Sequence, residues 1–428
     1  MAQRADYDIT WIDRQAPRML ERVIDWASIN TDSANLEGLA TLGEKVEAAF
    51  KTLGARSRWV DLPPGEGIDD AGQPYEQPYG RALHASMHPE AARKVFLCIH
   101  TDTVFAADHP FQCVEKRDAE TLHGPGVADA KGGLVVMLAA LEALERSPLA
   151  GRIGWEVVIN PDEEVGSHGS DALIRETAGR CDLALLYEPA LPDGSLVGPR
   201  KGSGNFTLVV RGRSAHAGRD FAHGRNAVAA LAGMIGQLDA LNGRSGGRFD
   251  GLTVNVGRVI GGGPVNVVPD LALVRYNVRY TDDSQLALVQ QRVAQLLEEV
   301  NRLDGFCAEY YGKTTAPPKR VGPGTSQLQA IVEACAAEID LPPIQWASTG
   351  GVCDGNRTAA MGLATIDTLG VCGGAIHSDQ EFLRIDSLAQ RAKLSALLLM
   401  KLAAGVVEWP PPDLPPDLPP DSPTQSGV

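Results

Sequence analysis

The organisation of this chain depends on one stretch, Trp155-Glu156-Val157-Val158-Ile159-Asn160-Pro161-Asp162-Glu163-Glu164-Val165-Gly166-Ser167. Its apolar start, 155–159, predicts a buried strand, and the acidic pair Glu163 and Glu164 lies where that strand ends and a loop begins. Loops beyond strand ends are where α/β proteins place their chemistry. Neighbouring side chains there can point to different sides, so one carboxylate can hold a metal while the other carries a proton. An acidic turn in an acidic protein is the alternative interpretation.

Strands and helices alternate on both sides of this stretch. Since alternation of this kind is typical of a sheet covered by helices on both faces, we expect a mainly parallel α/β sheet. The predicted strands are 94–99, 155–159, 183–187 and 363–369. The predicted helices are two within 7–53, one from about 133 to 144, and others at 170–178, 326–339 and 385–407. Residues 63–80 are rich in Pro, Gly and Asp and predict a loop.

The pattern changes near residue 198. Beyond it the predicted order is strand, helix, strand, strand, helix and strand, at 205–212, 224–241, 252–259, 271–280, 284–303 and near 311. This order predicts an inserted, ferredoxin-like α+β domain. We therefore expect a catalytic domain from 1–198 and 317–408, with the inserted domain at 199–316. The Pro-Pro-Asp-Leu repeats of 409–428 predict a disordered tail.

Composition and charge restrict the class of protein. The chain has 428 residues, which favours two domains, with 44% hydrophobic and 22% charged residues, as in globular proteins. Its 54 acidic residues exceed its 39 basic residues, giving a formal net charge of −15. A nucleic-acid partner is not expected, because such a surface needs a basic face.

The expected location is the cytoplasm. The N-terminus is polar and has no apolar segment of the kind that a secretory signal contains. The longest apolar stretch, 132–141, is about half of what a bilayer span requires, so no membrane association is expected. The seven cysteines are scattered and form no C-x-x-C pair, which fits reduced thiols better than a disulfide framework.

Polar groups collect after the predicted strands and glycine-rich turns. They are two histidines and five carboxylates, namely His100, Asp102, Asp129, Glu163, Glu164, Glu188 and His377. Imidazole nitrogens together with carboxylate oxygens, one of which can bridge, suit a pair of zinc-like divalent ions. No local H-E-x-x-H motif is present, so the fold must bring these residues together.

Taken together, the motifs of the chain carry a specific resemblance. In chain order they are His100-x-Asp102-x-Val104, Gly126-x-x-Asp129-x-Lys131-Gly132-Gly133, Asp162-Glu163-Glu164-x-Gly166, Glu188-Pro189, Ser214-x-His216-x-Gly218, Asn266-x-x-Pro269, Gly350-Gly351-x-x-Asp354 and His377-Ser378. This series, which spans about residues 10–405, resembles the dinuclear zinc peptidase and deacylase family. That family includes acetylornithine deacetylase, succinyl-diaminopimelate desuccinylase and glutamate carboxypeptidase. Gly124-Pro125-Gly126 and the residues after Glu164 are most similar to the glutamate carboxypeptidase branch.

The resemblance implies a role for each residue of the set. His100 and Glu188 are expected to hold one zinc, Glu164 and His377 the other, and Asp129 to bridge them. Asp102 is expected to fix the tautomer of His100. Glu163 is expected to be the base that takes a proton from water and passes it to the leaving amine. Two Zn²⁺ per chain are implied, with Co²⁺ or Mn²⁺ as alternatives.

The resemblance also implies that the inserted domain acts as a lid and dimerisation domain, and it implies roles for residues within and beside that domain. His216 is expected to reach the partner subunit's site in a homodimer. Asn266, Arg279 and Gly351 are expected to contact the substrate, and an arginine fork would suit a free carboxylate. A second cation, Lys319 or Arg320, is expected to help. A surface salt bridge is the alternative for Arg279. A thiol nucleophile at Cys353 is rejected because no histidine base accompanies it.

The function that the resemblance implies is metal-dependent hydrolysis of an amide bond to an amino acid with a free carboxylate. The substrate would be a small acylated amino acid or a peptide, and the enzyme a carboxypeptidase or N-acyl-amino-acid deacylase. Glu188 supports this choice, because the aminopeptidase branches of the family tend to have Asp there. The alternatives are a metal-dependent aminopeptidase or dipeptidase, and a catalytically silent binding protein of the same fold.

Overall fold

A six-stranded sheet forms the centre of the protein in a computed structural model that describes residues 7–242 and 250–413. This central sheet has the strand order Arg56–Val60, Ala82–Met87, Gly154–Asn160, Lys94–His100, Leu183–Leu186 and Ala364–Ile366. The last four strands run parallel to one another, and Ala82–Met87 pairs antiparallel with both of its neighbours. The predicted mainly parallel α/β sheet is confirmed.

Helices cover both faces of the central sheet. On one face the apolar core includes residues of the helices Thr10–Ala27, Leu36–Leu53, Gly133–Arg146, Pro323–Glu338 and Ile385–Ala404. On the other face, Phe96, Cys98 and Val158 pack against the helix Asp171–Ala178. Every residue of Gly154–Asn160 is buried. Burial on both faces explains why this strand is largely apolar instead of alternating.

A second, antiparallel sheet of four strands comes next in the chain, and we call it the inserted sheet. Its strand order is Thr253–Gly261, Leu271–Tyr280, Gly202–Arg211 and Cys307–Ala316. The helices Ala227–Asp239 and Asp283–Asn301 lie between these strands in sequence, and their apolar residues share a separate core with the sheet. This order is the predicted ferredoxin-like one, while the exact domain boundaries stay a prediction.

Smaller elements complete the described part of the chain. They include the short α-helix Gly355–Ala360, the π-helical turn Val127–Gly132 and the 3-10 helix Phe221–His223. The other strands are Gly65–Ile68, Pro74–Gln77, Glu115–Lys116, Thr121–His123, Leu196–Arg200, Ala215–His216, Val267–Val268, Trp346–Thr349, Gly373–Gly374 and Phe382–Arg384. No helix within 7–242 and 250–413 is long and apolar enough to cross a bilayer.

The segment 63–80 differs from the predicted loop. Gly65–Ile68 and Pro74–Gln77 pair as an antiparallel hairpin, which we call the tethered hairpin. Asp70 in its turn pairs with Arg258 and Arg275 of the inserted sheet, at 2.5 and 2.7 Å. The composition of this segment, rich in Pro, Gly and Asp, predicts a loop. The contacts that stabilise the hairpin are tertiary, so the two strands could not be predicted from the segment alone.

The start of the predicted disordered tail is also different. Asp413 is buried, and its carboxylate accepts hydrogen bonds from Gly324 N at 2.7 Å and Thr325 Oγ1 at 2.6 Å. The first N–H groups of a helix lack partners within the helix, so a carboxylate there is stabilising. This contact holds Asp413 against the start of the helix Pro323–Glu338, and the rest of the predicted tail, 414–428, lies outside the described residues.

Candidate active site and metal centre

The carboxyl ends of the central strands bring the predicted ligands together. His100 ends the strand Lys94–His100 and lies opposite Asn160, which ends the neighbouring strand. Glu188 comes directly after the strand Leu183–Leu186 and Tyr187, on the other side. Parallel strands end at one edge of the sheet, so the residues after them meet there.

Asp129 lies between the two predicted histidines. Its Oδ1 is 3.0 Å from His100 Nε2, and its Oδ2 is 3.3 Å from His377 Nε2. The Asp129–Ala130 peptide bond is cis. One carboxylate thus presents a separate oxygen to each imidazole, which is the arrangement of a carboxylate that bridges two ions.

Each imidazole has a second carboxylate beside it. Glu188 Oε2 is 3.7 Å from His100 Nε2, and Glu164 Oε2 is 3.1 Å from His377 Nε2. His100, Asp129 and Glu164 each offer a ligand atom, and these atoms lie within 4.8 Å of one another. The structure therefore brings all five predicted metal ligands into one cluster.

Asp102 connects His100 to the loop that carries the acidic pair. His100 Nδ1 is 3.3 Å from Asp102 Oδ1 and 3.1 Å from its carbonyl oxygen. The same carboxylate accepts hydrogen bonds from the backbone N–H of Glu163 at 3.1 Å and of Glu164 at 3.0 Å, and from Ser33 Oγ at 2.7 Å. Since Asp102 is fully buried, it orients the imidazole and the acidic loop together.

The cluster carries an excess of buried negative charge. Burial, together with the charge of Glu188, raises the pKa of Glu163 well above its ordinary value. Burial and Asp129 raise the pKa of Glu164 to about 7. Burial disfavours the charged form of His100, yet Glu188 and its hydrogen bonds with Asp102 and Asp129 raise its pKa overall. Carboxylates that repel one another around two imidazoles fit divalent cations, which would compensate their charge.

Two further aspartates hold the acidic loop, although the sequence alone assigned them no role. Asp354 accepts hydrogen bonds from Asn160 Nδ2 at 2.8 Å and Ser167 Oγ at 2.6 Å. Asp162 accepts from the N–H groups of Gly169 and Ser170 at 2.8 and 3.1 Å. Both are buried inside the quoted motifs, and the N–H and O–H donors around them explain why an acceptor side chain stands at each position.

Glu381 is a site residue that the sequence did not predict. It is 1% exposed, and its carboxylate accepts three backbone hydrogen bonds from the turn that carries Asp129. Burial raises its pKa to about 7. Its position four residues after His377 is the one signal that could have indicated it.

The predicted substrate residues Arg279 and Gly351 lie close together. Arg279 Nη1 donates to Gly350 O at 3.1 Å, and its Nε donates to Asn277 Oδ1 at 3.0 Å. Gly351 O accepts from Arg200 Nη1 at 3.2 Å. Within 7–242 and 250–413, Arg279 has no carboxylate at ion-pair distance, so the alternative of a salt bridge fails there.

Lys319 and Arg320, the two candidates for a second substrate cation, have different surroundings. Lys319 is fully buried, and its Nζ lies 2.9 Å from Asp367, which also binds Arg200. Arg320 pairs with Asp282 at 3.1 Å. The expectation of a second substrate cation from this pair is wrong for Lys319, because its charge is already satisfied in the interior.

His216 and Asn266 lie on an exposed part of the inserted region. His216 is exposed and opposite Val267 in a short antiparallel pairing, and Asn266 O accepts from Ala217 N at 2.9 Å. Among the described residues, neither forms a hydrogen bond or an ion pair with the five metal-ligand candidates. The two predicted residues are therefore neighbours of each other but are separate from the metal cluster within one chain.

A cavity of about 950 Å³ lies between the tethered hairpin and the open face of the inserted sheet. Its wall includes Val165, which directly follows the acidic pair, and His168 of the same loop, together with Tyr75, Asn205 and Asn277. Asn277 accepts from Arg279 and donates to Asn205 at 2.7 Å. The cavity therefore borders both the acidic loop and the Arg279 contact.

Comparison with known proteins agrees with this geometry. Residues 96–401 match the model of peptidase family M20/M25/M40, which is more than half of the chain. The chain belongs to this family. Its members are metal-dependent hydrolases of amide bonds, so the predictions of the family and of an enzyme rather than a binding protein are confirmed.

Several relatives illustrate the range of the M20 family. Carboxypeptidase G2 of Pseudomonas sp. (strain RS-16) is 26% identical over 401 residues, which cover 91% of this chain and 91% of the relative. Succinyl-diaminopimelate desuccinylase of Pseudomonas syringae pv. syringae is 28% identical over 302 residues, covering 67% of this chain and 76% of the relative.

Solved structures share the fold. A metallo-carboxypeptidase of the M20 family from Sulfolobus solfataricus superposes with a TM-score of 0.71 at 15% identity, covering 90% of this chain and 99% of that one. A tripeptidase from Staphylococcus aureus has a TM-score of 0.70 at 21% identity, covering 91% and 99%. At these identities the likeness establishes the fold alone.

Proposed function

We propose that this M20 enzyme hydrolyses an amide bond to an amino acid whose α-carboxylate is free, as a carboxypeptidase or N-acyl-amino-acid deacylase. The observation that carries the proposal is Arg279. Its guanidinium is partly buried and lies at the Gly350–Gly351 turn without a carboxylate partner among the described residues. A cation whose hydration is reduced and whose charge is unpaired is suited to an anionic part of the substrate.

The metal centre is proposed to hold two divalent cations, with zinc as the expected ion and Co²⁺ or Mn²⁺ as alternatives. His100 and Glu188 would hold one, Glu164 and His377 the other, and Asp129 would bridge them. The donor set supports this, because it combines imidazole nitrogen with carboxylate oxygen on each side of one shared carboxylate. When bound, such cations supply Lewis acidity to the amide carbonyl.

In this proposal, Glu163 moves the proton. Its carboxylate lies near Glu188 and His100 and is assigned to no metal, so it would take up a proton from the attacking water and then donate that proton to the nitrogen of the departing amine. Asp102 holds the backbone of Glu163 in place while it keeps His100 in one tautomer. The acyl part would extend from the acidic loop into the cavity beside Tyr75 and Asn205.

A homodimer is proposed in which His216 reaches the partner's site. Thr253–Gly261 is an edge strand of the inserted sheet, and an unpaired edge can pair with a second copy. Large apolar side chains are exposed in the same region, namely Phe221, Val259, Val265 and Val267. His216 lies beside Val267, so a partner at this surface would be close to its imidazole. The stabilisation of an oxyanion on the partner's substrate is the proposed role of this imidazole.

We also propose a cytoplasmic location. All seven cysteines are free, and four of them, Cys98, Cys335, Cys353 and Cys372, are buried. Buried thiols without disulfide partners are typical of a reducing compartment.

A substrate panel tests the proposed function. Purified protein loaded with zinc should cleave N-acyl amino acids and C-terminal glutamate conjugates, and it should not cleave the matching carboxamides, which lack the free carboxylate. An aminopeptidase would instead require a free α-amine and would leave N-blocked substrates intact. Hydrolysis restricted to substrates with a free amine would overturn the proposal in favour of the aminopeptidase or dipeptidase alternative.

A further inference from the structure

We propose that Glu381 is a positioning residue for the metal centre, which fixes the bridging Asp129 relative to His377. This inference rests on the proposed metal centre and adds a residue to which that proposal assigns no role. Glu381 is buried, and its carboxylate binds the backbone of the turn that carries Asp129.

The hydrogen bonds of Glu381 are specific for a carboxylate. Its Oε1 accepts from the N–H groups of Ala128 and Asp129, both at 3.0 Å, and its Oε2 accepts from Gly126 N at 3.1 Å. All three partners are donors, so both oxygens must be acceptors. A glutamine would place an amide N–H₂ against at least one of these N–H groups, because it has only one acceptor oxygen.

Glu381 also connects the two loops that carry metal ligands. It lies four residues after His377, and the backbone of the two loops is joined directly, since Gly124 N donates to Glu381 O at 3.3 Å. The next residue, Phe382, pairs with His123 in a short antiparallel ladder. The position of Asp129 therefore depends on the loop that carries His377. The side chain of Glu381 makes this connection, because it belongs to that loop and binds the turn of Asp129.

The geometry of Asp129 explains why such a residue is needed. Each of its oxygens must face a different imidazole, at 3.0 and 3.3 Å, so a small rotation of the backbone would weaken both contacts together. Left-handed conformations occur at Gly126, with φ of 71°, and at His377, with φ of 61°. A left-handed φ is uncommon for a non-glycine residue and persists only where the surroundings hold it. At the Gly126 turn, Glu381 supplies part of the restraint through its hydrogen bond with Gly126 N.

The test is a measurement of zinc affinity in four full-length proteins: wild type, Glu381→Gln, Glu381→Asp and the matched control Glu156→Gln. Glu156 is another buried glutamate with charged partners, His84 and Arg180, and it lies away from the metal cluster. Metal-free protein is titrated with zinc in competition with a chromophoric chelator. The visible absorption of Co²⁺-loaded protein reports the coordination geometry.

The expected result is a rise of about 10–100-fold in the zinc dissociation constant for Glu381→Gln, the usual effect of removing a group that orients a ligand. Glu381→Asp keeps the charge but is one methylene shorter, so its dissociation constant should lie between those of wild type and Glu381→Gln. The Co²⁺ spectrum should change in both variants. Glu156→Gln should lower the unfolding temperature without changing the zinc affinity or the spectrum.

Other outcomes separate this inference from the proposed function. If Glu381→Gln and Glu381→Asp bind zinc as wild type does, with an unchanged Co²⁺ spectrum, the positioning role is overturned while the metal centre stands. If wild type binds no zinc, the proposed metal centre itself is wrong. Where Glu381→Gln is too unstable to titrate, the rise in unfolding temperature on addition of zinc is compared for Glu381→Asp and wild type. An equal rise would overturn the inference.

Discussion

The functional residues beside the two sheets differ in burial and in contacts. At the edge of the central sheet, His100, Asp102 and Asp129 are 1%, 0% and 6% exposed, and hydrogen bonds join them to one another and to the acidic loop. In the inserted region, His216 and Asn266 are exposed and contact only their own surroundings among the described residues. The chemical centre is therefore preorganised within one chain, whereas the proposed substrate and partner contacts are completed from outside it.

The charge environment also differs between the two regions. Around the metal cluster, burial and mutual repulsion raise the pKa of the carboxylates, and bound cations would relieve this repulsion. On the inserted sheet, Arg279 is a cation without a carboxylate partner in the described part of the chain, so it favours an anion. A substrate with an amide bond and a neighbouring carboxylate would match both regions at once. Substitutions in each region can test this difference.

The largest expected effect is at Glu163. Glu163→Ala removes the proposed proton carrier but no proposed ligand, so kcat should fall by about 10²–10⁴-fold while the metal content stays near that of wild type. Steady-state kinetics and elemental analysis of the same preparation measure both quantities. Glu164→Ala is the matched control and should lose metal. Loss of metal in Glu163→Ala instead would mean that the two glutamates have exchanged roles.

The next effect is expected at His216. His216→Ala should lower kcat by about 10²–10³-fold, the usual effect of removing an oxyanion donor. Mixing His216→Ala chains with Glu163→Ala chains should restore about half of the wild-type activity per heterodimer, because one of its two sites has both residues intact. Activity is measured on heterodimers isolated with two affinity tags. Heterodimers that form but stay inactive would refute action across subunits.

A smaller effect is expected at Arg279. Hydrogen bonds to charged groups contribute about 1.5–3 kcal/mol, so Arg279→Ala should lower kcat/KM by about 10–150-fold. Arg279→Lys should recover only part of this loss, because an ammonium cannot form the same fork. Rates on a carboxylate substrate and on its carboxamide are compared. An equal loss on both substrates would contradict the proposed contact with the carboxylate.

The smallest effect concerns the stability of the central sheet rather than its chemistry. Although burial opposes it, hydrogen bonds from His84 and Arg180 lower the pKa of Glu156 to about 2, below its ordinary value. The resulting stability is present above the ordinary pKa, about 4.5, and is lost as the pH falls from there towards 2. Glu156→Gln should reduce the free energy of unfolding by about 1–3 kcal/mol at pH 6.

Chemical denaturation of wild type and Glu156→Gln between pH 6 and pH 3.5 measures this contribution. The difference between the two proteins should become smaller as the pH falls, because the native carboxylate loses its advantage over the unfolded one. A difference that stays constant with pH would mean that Glu156 stabilises the sheet through packing alone.

Much of the fold could be predicted from patterns within single segments. The apolar runs 94–99 and 155–159 predict buried strands because both of their faces are covered, and the helical spacing in 7–53 predicts two helices. The tethered hairpin could not be predicted in this way. Its strands are rich in Pro, Gly and Asp, and they are stabilised by ion pairs between Asp70 and a sheet that begins more than a hundred residues later.

For the site, the sequence by itself determined which residue types stand after the strands and in which order, and these identified the family. Metal binding and proton transfer depend on the type of side chain, and the sequence gives that type directly. Only the tertiary structure decided how the groups are arranged: Asp129 faces two imidazoles, Asp102 holds both His100 and the acidic loop, Lys319 is buried beside Asp367, and Glu381 binds the turn of Asp129. These contacts join residues far apart in the chain, so their distances depend on packing. No local sequence pattern records them.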